Sequence, residues 1–319
     1  MQVSAVVNRV FELMRKRFKM FVAIGVMPLV AELVLAIPLF AMIGLTAGRQ
    51  GGEGFPWSTP APWIMAVLLF ALVLVGSLFV YALAETAATW AALRLDAGAD
   101  ATVRQAWQVA WLQAGRSFGL MLLRALRTSG PMILPMLLMV AGIAVIAAEH
   151  SPGDPPVTGI LLILASVLLT LGSMVLGLIL YVADALSSAA CVTENLPAWQ
   201  AIRRSVGLSR GSRWRILGVA FLLYLIVMAS MVAIEIVGAV ALGLGVLLFE
   251  LLHAGEAGTV VAVVIAAAIF LPFFVAYTGI VMTVQPVYQA VMYRDLRRLE
   301  PVQTAATHPG TGFTGPQFR

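Results

Sequence analysis

The sequence predicts an all-α integral membrane protein: six transmembrane helices in three two-helix repeats, each repeat preceded by an amphipathic cytoplasmic interfacial helix. Three observations predict it. Hydrophobic residues make up 61% of the chain and charged residues 11%, where soluble domains carry about a quarter charged residues; mean hydropathy is +0.98. Apolar runs recur that are long enough to cross a hydrocarbon core of about 30 Å, which takes ~20 residues at 1.5 Å rise. The segment from Tyr181 to Gly218 also repeats the grammar of Tyr81 to Gly119: the polar end of an apolar run, an amphipathic helix, arginines, and the start of the next run. An earlier copy lacks the preceding run and opens directly on VSAVVNRVFELMRKRFKMFVAIG. Self-similarity at a fixed period marks one supersecondary unit used several times.

The spans are placed at 20–46, 63–93, 117–148, 157–192, 214–251 and 258–293. They form a single membrane domain, 1–300, with repeat units at about 1–95, 96–193 and 194–300. The first run follows basic residues, but its apolar length exceeds the ~7–15 residues of a signal-peptide core, so it reads as a span. In the third, Pro131 cannot donate to the Arg127 carbonyl and Pro135 follows closely, which predicts a kink. Pro28, Pro38, Pro272 and Pro286 predict similar breaks elsewhere. Gly238, Gly243, Gly245 and the run Ala266, Ala267, Ala268 read as close helix packing. The tail 301–319, PVQTAATHPGTGFTGPQFR, has no apolar period and is expected to be disordered.

Lys and Arg favour the cytoplasmic side of short loops. Arg9, Arg15, Lys16, Arg17 and Lys19 precede the first span, Arg94, Arg104 and Arg116 separate the second from the third, and Arg203, Arg204, Arg210, Arg213 and Arg215 separate the fourth from the fifth. Arg294, Arg297 and Arg298 follow the sixth; the opposite loops hold only Arg49 among basic residues, with Glu53, Glu149, Asp154, Glu250 and Glu256. Both termini are therefore expected in the cytoplasm of a bacterium, on the inner face of its cytoplasmic membrane. Units that share one orientation are related by an axis along the membrane normal.

Each interfacial helix has an apolar stripe: Val3, Val6, Val7, Val10, Phe11, Leu13 and Met14 in the first, Val103, Ala106, Trp107, Ala110, Trp111 and Ala114 in the second, and Ala198, Trp199, Ile202, Ser205 and Val206 in the third. Such helices lie in the headgroup plane with the apolar face in the acyl edge and the basic face on anionic phosphates. Arg15, Lys16, Arg203, Arg204, Arg210 and Arg213 are the expected headgroup contacts. The net charge of +5 sits beside the spans, so membrane lipid is the expected partner and nucleic acid is not; a membrane or cytoplasmic protein partner stays open.

Glu32, Glu85, Asp184 and Glu235 fall within spans, as do Arg124 and Arg127. A charge at a helix centre costs ~2.5–3.5 kcal/mol on insertion scales, so these groups need partners or water. Aligning the repeats pairs Glu85 with Asp184 and, approximately, Gln285. Counted from the flanking arginines, Glu85 lies ~13 Å inside one helix end and Arg124 and Arg127 ~12–17 Å inside another, so the charges can neutralise one another at one level. A salt-bridge network and a polar cavity for a headgroup or ion both fit. No G-x-S-x-G, H-E-x-x-H, Walker or Rossmann pattern occurs, and Cys191 with three scattered histidines offers no metal-ligand spacing; neither enzyme activity nor a cofactor is expected.

Ala201, Ser205, Leu208, Gly211, Trp214 and Gly218, with the later stretch from Met292 through Tyr293, Arg294, Asp295, Leu296, Arg297, Arg298 and Leu299 to Glu300, resemble the bacterial glycerophosphoryl diester phosphodiesterase membrane-domain family and its six-span relatives. That family ends in a similar stretch with a second tyrosine where Arg294 stands. The resemblance implies a cytoplasmic-membrane protein; family members are sometimes joined to a soluble phosphodiesterase domain, for which this chain is expected to have no room, so hydrolase activity is not expected to carry over. Two functions remain open: an accessory or scaffold protein using its basic rim, and a transporter or lipid-handling protein using the Glu85, Asp184, Arg124, Arg127 level as a site.

Overall fold

The computed structural model describes residues 2–48, 60–148, 157–251 and 255–307. These are helical almost throughout, with no strand among the described residues: α1 (Val3–Lys16), α2 (Phe18–Gly48), α3 (Pro60–Asp96), α4 (Val103–Leu112), α5 (Ala114–Ser129), α6 (Ile133–Ala148), α7 (Val157–Asp184), α8 (Ser187–Glu194), α9 (Ala198–Ser209), α10 (Arg213–Leu251) and α11 (Gly255–Thr307). Among the described residues, six segments are long and apolar enough to cross a membrane: Phe18–Pro38, Ile64–Asp96, Ala114–Ala148, Val157–Glu194, Arg213–Gly245 and Phe270–Arg298. They overlap the six expected runs. The loops expected to hold Glu53, Glu149 and Asp154 lie outside the described residues.

Two of the six segments are broken. A 3₁₀ turn, Gly130–Met132, separates α5 from α6 at the expected Pro131 kink, and Ser173 Oγ donates to the Pro131 carbonyl across the gap at 2.8 Å. The second break, at Ala185 and Leu186 between α7 and α8, was not legible as a Pro or Gly signal. Pro28 and Pro38 sit inside an unbroken α2, and Pro272 and Pro286 inside an unbroken α11; each removes one ladder bond without ending the helix. Nor does α11 stop at Pro301. It runs on to Thr307 through Gln303, Ala305 and Ala306, which tolerate helix, while the remainder of the expected disordered tail lies outside the described residues.

The helices pair as α2 with α3, α6 with α7, and α10 with α11, and α11 also packs on α2 and α3. The tightest crossing is between glycines: a Cβ on Gly25 would stand 1.8 Å from the Gly279 carbonyl oxygen. Gly142 and Gly159 make a similar approach between α6 and α7. Gly238 packs under the Phe270 ring, whereas Gly243 and Gly245, expected to mark close packing, meet nothing within 4 Å. The core gathers at the arginine-rich end, around Phe21, Ile24, Leu83, Leu186, Ile216, Met292 and Tyr293. Away from it the paired helices present bare apolar surface, such as Leu33 at 67% exposure, which in water would be a prohibitive patch.

Candidate functional site

Arg124 and Arg127, three residues apart, share one face of α5 and meet acids from two other helices. Arg124 Nη1 donates to Glu85 Oε1 on α3 at 2.6 Å and to Ser188 Oγ in the first turn of α8 at 2.8 Å. Ser188 Oγ also donates to that carboxylate. The Glu85 pair is thus closed on itself; on one flank lies a void of about 10 Å³, walled in part by Thr86, Ser117 and Cys191, and on another a larger cleft.

Asp184 differs. It is the last residue of α7 and 2% exposed; Arg127 Nη1 lies 3.3 Å from its Oδ1, yet neither carboxylate oxygen receives a hydrogen bond. Proximity without alignment gives Coulomb attraction but leaves the oxygens' acceptor capacity unused. Asp184 is among the residues lining a cleft of about 160 Å³, with Tyr81, Glu85, Arg124, Tyr181 and Gln285, while its two carboxylate oxygens are themselves covered. The structure therefore brings Glu85, Asp184, Arg124 and Gln285 around one space, with Arg127 beside Asp184. Glu32 and Glu235 do not join them: both are exposed on the outer faces of α2 and α10.

The break after Asp184 is held by α9. Ser205 Oγ donates to the Ala183 carbonyl at 2.7 Å and accepts from the Leu186 amide at 3.1 Å, and Ser187 Oγ donates to the Asp184 carbonyl at 2.6 Å. Backbone groups freed by a mid-span break have to be satisfied by protein. Ser205 does so while fully buried. After α8, Asn195 takes the left-handed conformation, φ 54°, that asparagine tolerates at a helix end, and Arg116 donates to its side chain.

Arg127 also faces outward. With Trp199, Arg203 and Arg210 it lines a groove of about 400 Å³ between α5 and α9, with no acidic residue among its walls. The Arg203 guanidinium stacks 5.1 Å from the Trp199 ring centre. A second basic groove, of about 610 Å³, is lined by Arg15, Lys16, Arg17 and Lys19 beside the start of α4.

Not every expected headgroup contact points outward. Arg204 turns inward, its Nε 3.1 Å from Glu194 Oε1, an oxygen that Tyr293 Oη also donates to at 2.6 Å. Arg203, Arg210 and Arg213 are exposed, as is Arg15, and Lys16 pairs with Glu12 at 2.7 Å. Nor does the apolar stripe of α1 face outward: Val6, Val7, Val10, Leu13 and Met14 are buried, with α1 packed on α10 and α11, and only Phe11 of its inner expected positions is exposed. Protein supplies the apolar cover that lipid was expected to give.

Sequence reasoning missed three acids. Asp96 takes Arg9 Nε at 2.9 Å and Arg294 Nη1 at 2.7 Å, Glu194 takes Arg204 and Tyr293, and Asp295 takes Arg215. Each follows the polar end of a long apolar run, at near-equal spacing, and that recurrence was the available signal. Beside Asp96, hydrogen bonds to that residue and then to Glu12 raise the Arg9 pKa above its ordinary value. The Glu12 carboxyl is held below its ordinary value first by Lys16 and then by Arg9.

Among the described residues no group of three His, Cys, Asp or Glu side chains is placed to hold a metal ion. Comparison of the chain with known protein families, curated proteins and solved structures finds no match.

Proposed function

We propose that this chain is a non-enzymatic multi-pass protein of the bacterial cytoplasmic membrane, an accessory or scaffold that engages anionic lipid through a basic cytoplasmic rim. The observation that carries the reading is the groove of Arg127, Arg203 and Arg210 around Trp199, three guanidiniums with no acid among the lining residues. A basic recess between helices at a membrane's cytoplasmic face suits a phosphate-bearing headgroup, and arginine forks match phosphate oxygens. The concentration of arginines at the packed end supports the cytoplasmic orientation of that end and of both termini. Trp214, 86% exposed, and the exposed Trp111 and Trp199 suit an interfacial aromatic belt. Convergence of Glu85, Asp184 and Gln285 on one cleft supports three equivalent units about an axis along the membrane normal. The closed Glu85–Arg124 pair favours the accessory role over a transport path, and the resemblance of 201–218 and 292–300 to the phosphodiesterase membrane domain supports the same placement. A protein partner would meet the same rim.

The test is lipid retention. Protein purified in mild detergent, exchanged into mixed anionic and zwitterionic lipid and weighed by native mass spectrometry, should keep anionic lipid preferentially. The double change Arg203→Gln with Arg210→Gln should reduce that preference several-fold; an unchanged preference would sink the reading.

A further inference from the structure

We infer that the recess where α1 meets α2, against the start of α4, is a second anionic-lipid site, distinct from the groove of Arg203 and Arg210. It extends the lipid reading above and rests on it for which end of the molecule is cytoplasmic. Charge comes first. The recess has a volume of about 610 Å³ and its walls carry Arg15, Lys16, Arg17 and Lys19, with no acid among the lining residues. All four side chains are exposed, within reach of an entering anion. Two of them are paired: Lys16 with Glu12 at 2.7 Å and Arg17 with Asp100. Both acids are themselves exposed, and pairs of that kind contribute little, so a phosphate can draw either cation away. No ion pair holds Arg15 or Lys19 among the described residues. Four cations against two acids leave an excess of two positive charges with every local pair intact.

The same walls say what the anion is attached to. Arg17, at φ −130° and ψ 41°, leaves the helical region and ends α1, which places Arg15 and Lys16 on one helix and Lys19 on the next. Phe18 stands beside these cations and is 52% exposed. It opens a segment apolar enough to span a membrane. From it Val22, Leu29 and Leu33 follow on one face of α2, and none of the three is buried. A phosphate held by the cations thus has an apolar strip for acyl chains along the same helix. A soluble phosphate would use the cations alone.

The place of this recess in the molecule matches that of the first groove. The short helix α4 packs on α2 and α3, α9 on α5 and α7, and α1 on α10 and α11. Each short helix therefore leans on the two span segments that precede it, and α1 closes the circle on the last two. The first groove lies between α9 and α5, the second between α4 and the start of α2. They are two seams of one kind, each rimmed by basic side chains, and one lipid at each follows from the correspondence.

The experiment titrates delipidated full-length protein in mild detergent with phosphatidylglycerol and counts bound lipid by native mass spectrometry. Phosphatidylcholine is the zwitterionic comparison and glycerol phosphate the free headgroup. Two phosphatidylglycerol molecules are expected to bind saturably and in preference to phosphatidylcholine. Arg15→Gln with Lys19→Gln should weaken one of the two about tenfold or more, given the contribution of each basic side chain near a headgroup. The other lipid should remain and so report an intact fold. Arg15→Lys with Lys19→Arg, which keeps the charge, should bind both. Arg94→Gln with Arg298→Gln, exposed cations outside both grooves, should leave both nearly unchanged. An Arg15→Gln, Lys19→Gln protein that binds like this last variant would overturn the proposal. So would displacement of the lipid by equimolar glycerol phosphate, which would make the ligand a soluble phosphate. Loss on Arg203→Gln with Arg210→Gln alone would end this inference and leave the lipid reading standing. Loss on Arg15→Gln with Lys19→Gln alone would support this site and remove the groove that carries the reading.

Discussion

Arg124 donates to Glu85 at 2.6 Å between side chains only 13% and 10% exposed, so two opposite charges from separate helices share one desolvated position. Removing either leaves the other uncompensated, a cost of ~3–5 kcal/mol for a buried pair. Glu85→Gln and Arg124→Gln should each lower the thermal aggregation temperature clearly, in detergent and in lipid. The double variant should recover much of the loss. Additive losses in that cycle would mean the two charges do not stabilise each other.

Ser205 predicts a local effect at a distance in sequence. Ser205→Ala orphans the Leu186 amide and the Ala183 carbonyl, at ~1–3 kcal/mol for each unsatisfied buried group. Hydrogen exchange at Leu186 should accelerate well beyond that of the α7 amides further from the break. Equal acceleration along all of α7 would point to general loosening.

The Gly25 and Gly279 crossing admits no side chain. Gly25→Ala would place a Cβ against backbone, not against a flexible side chain, so α2 and α11 must separate and lose packing along their length. Gly243→Ala and Gly245→Ala, with nothing within 4 Å, should be neutral or slightly favourable to the helix. Expression and aggregation temperature of the three single variants give the comparison. A neutral Gly25→Ala would contradict the crossing.

Acid should loosen α1 through Glu12. Its carboxyl is depressed below the ordinary 4.5 by Lys16 and Arg9, so its contribution is present above that value and is lost as pH falls through the lower folded value. Because Glu12 is solvent-exposed the effect is small and salt weakens it. Amide exchange in α1, corrected for the intrinsic pH dependence, should show a modest loss of protection below about pH 4.5 in low salt. Glu12→Gln should remove that part of the change.

How much of this was legible depends on the kind of signal. Hydropathy places span-length helices because a continuous apolar run is a local property, and Pro131 announces its own kink. Arg124 and Arg127 could be matched to Glu85 and Asp184 because buried charge must be compensated and helix rise fixes depth. The face of α1 was readable but not its cover: Val6, Val10 and Leu13 are apolar whether they meet lipid or the neighbouring helices α10 and α11. The break after Asp184 carries no local signal, since its backbone is satisfied by Ser205, 19 residues from Leu186 and 22 from Ala183 and on another helix. Gly25 and Gly279 were equally silent, as a glycine's tertiary contact lies in the partner it happens to face.

That Ser205 completes the fourth span has a consequence for biosynthesis. Chains are made from the N-terminus, so α7 and α8 are synthesised before α9. Until Ser205 arrives, the Leu186 amide and the Ala183 carbonyl have no partner in the finished geometry, and the segment must wait in water, in the insertion machinery, or as one unbroken helix. The bend beside Asp184 is therefore a late event, set only when a downstream segment folds back onto a span already made.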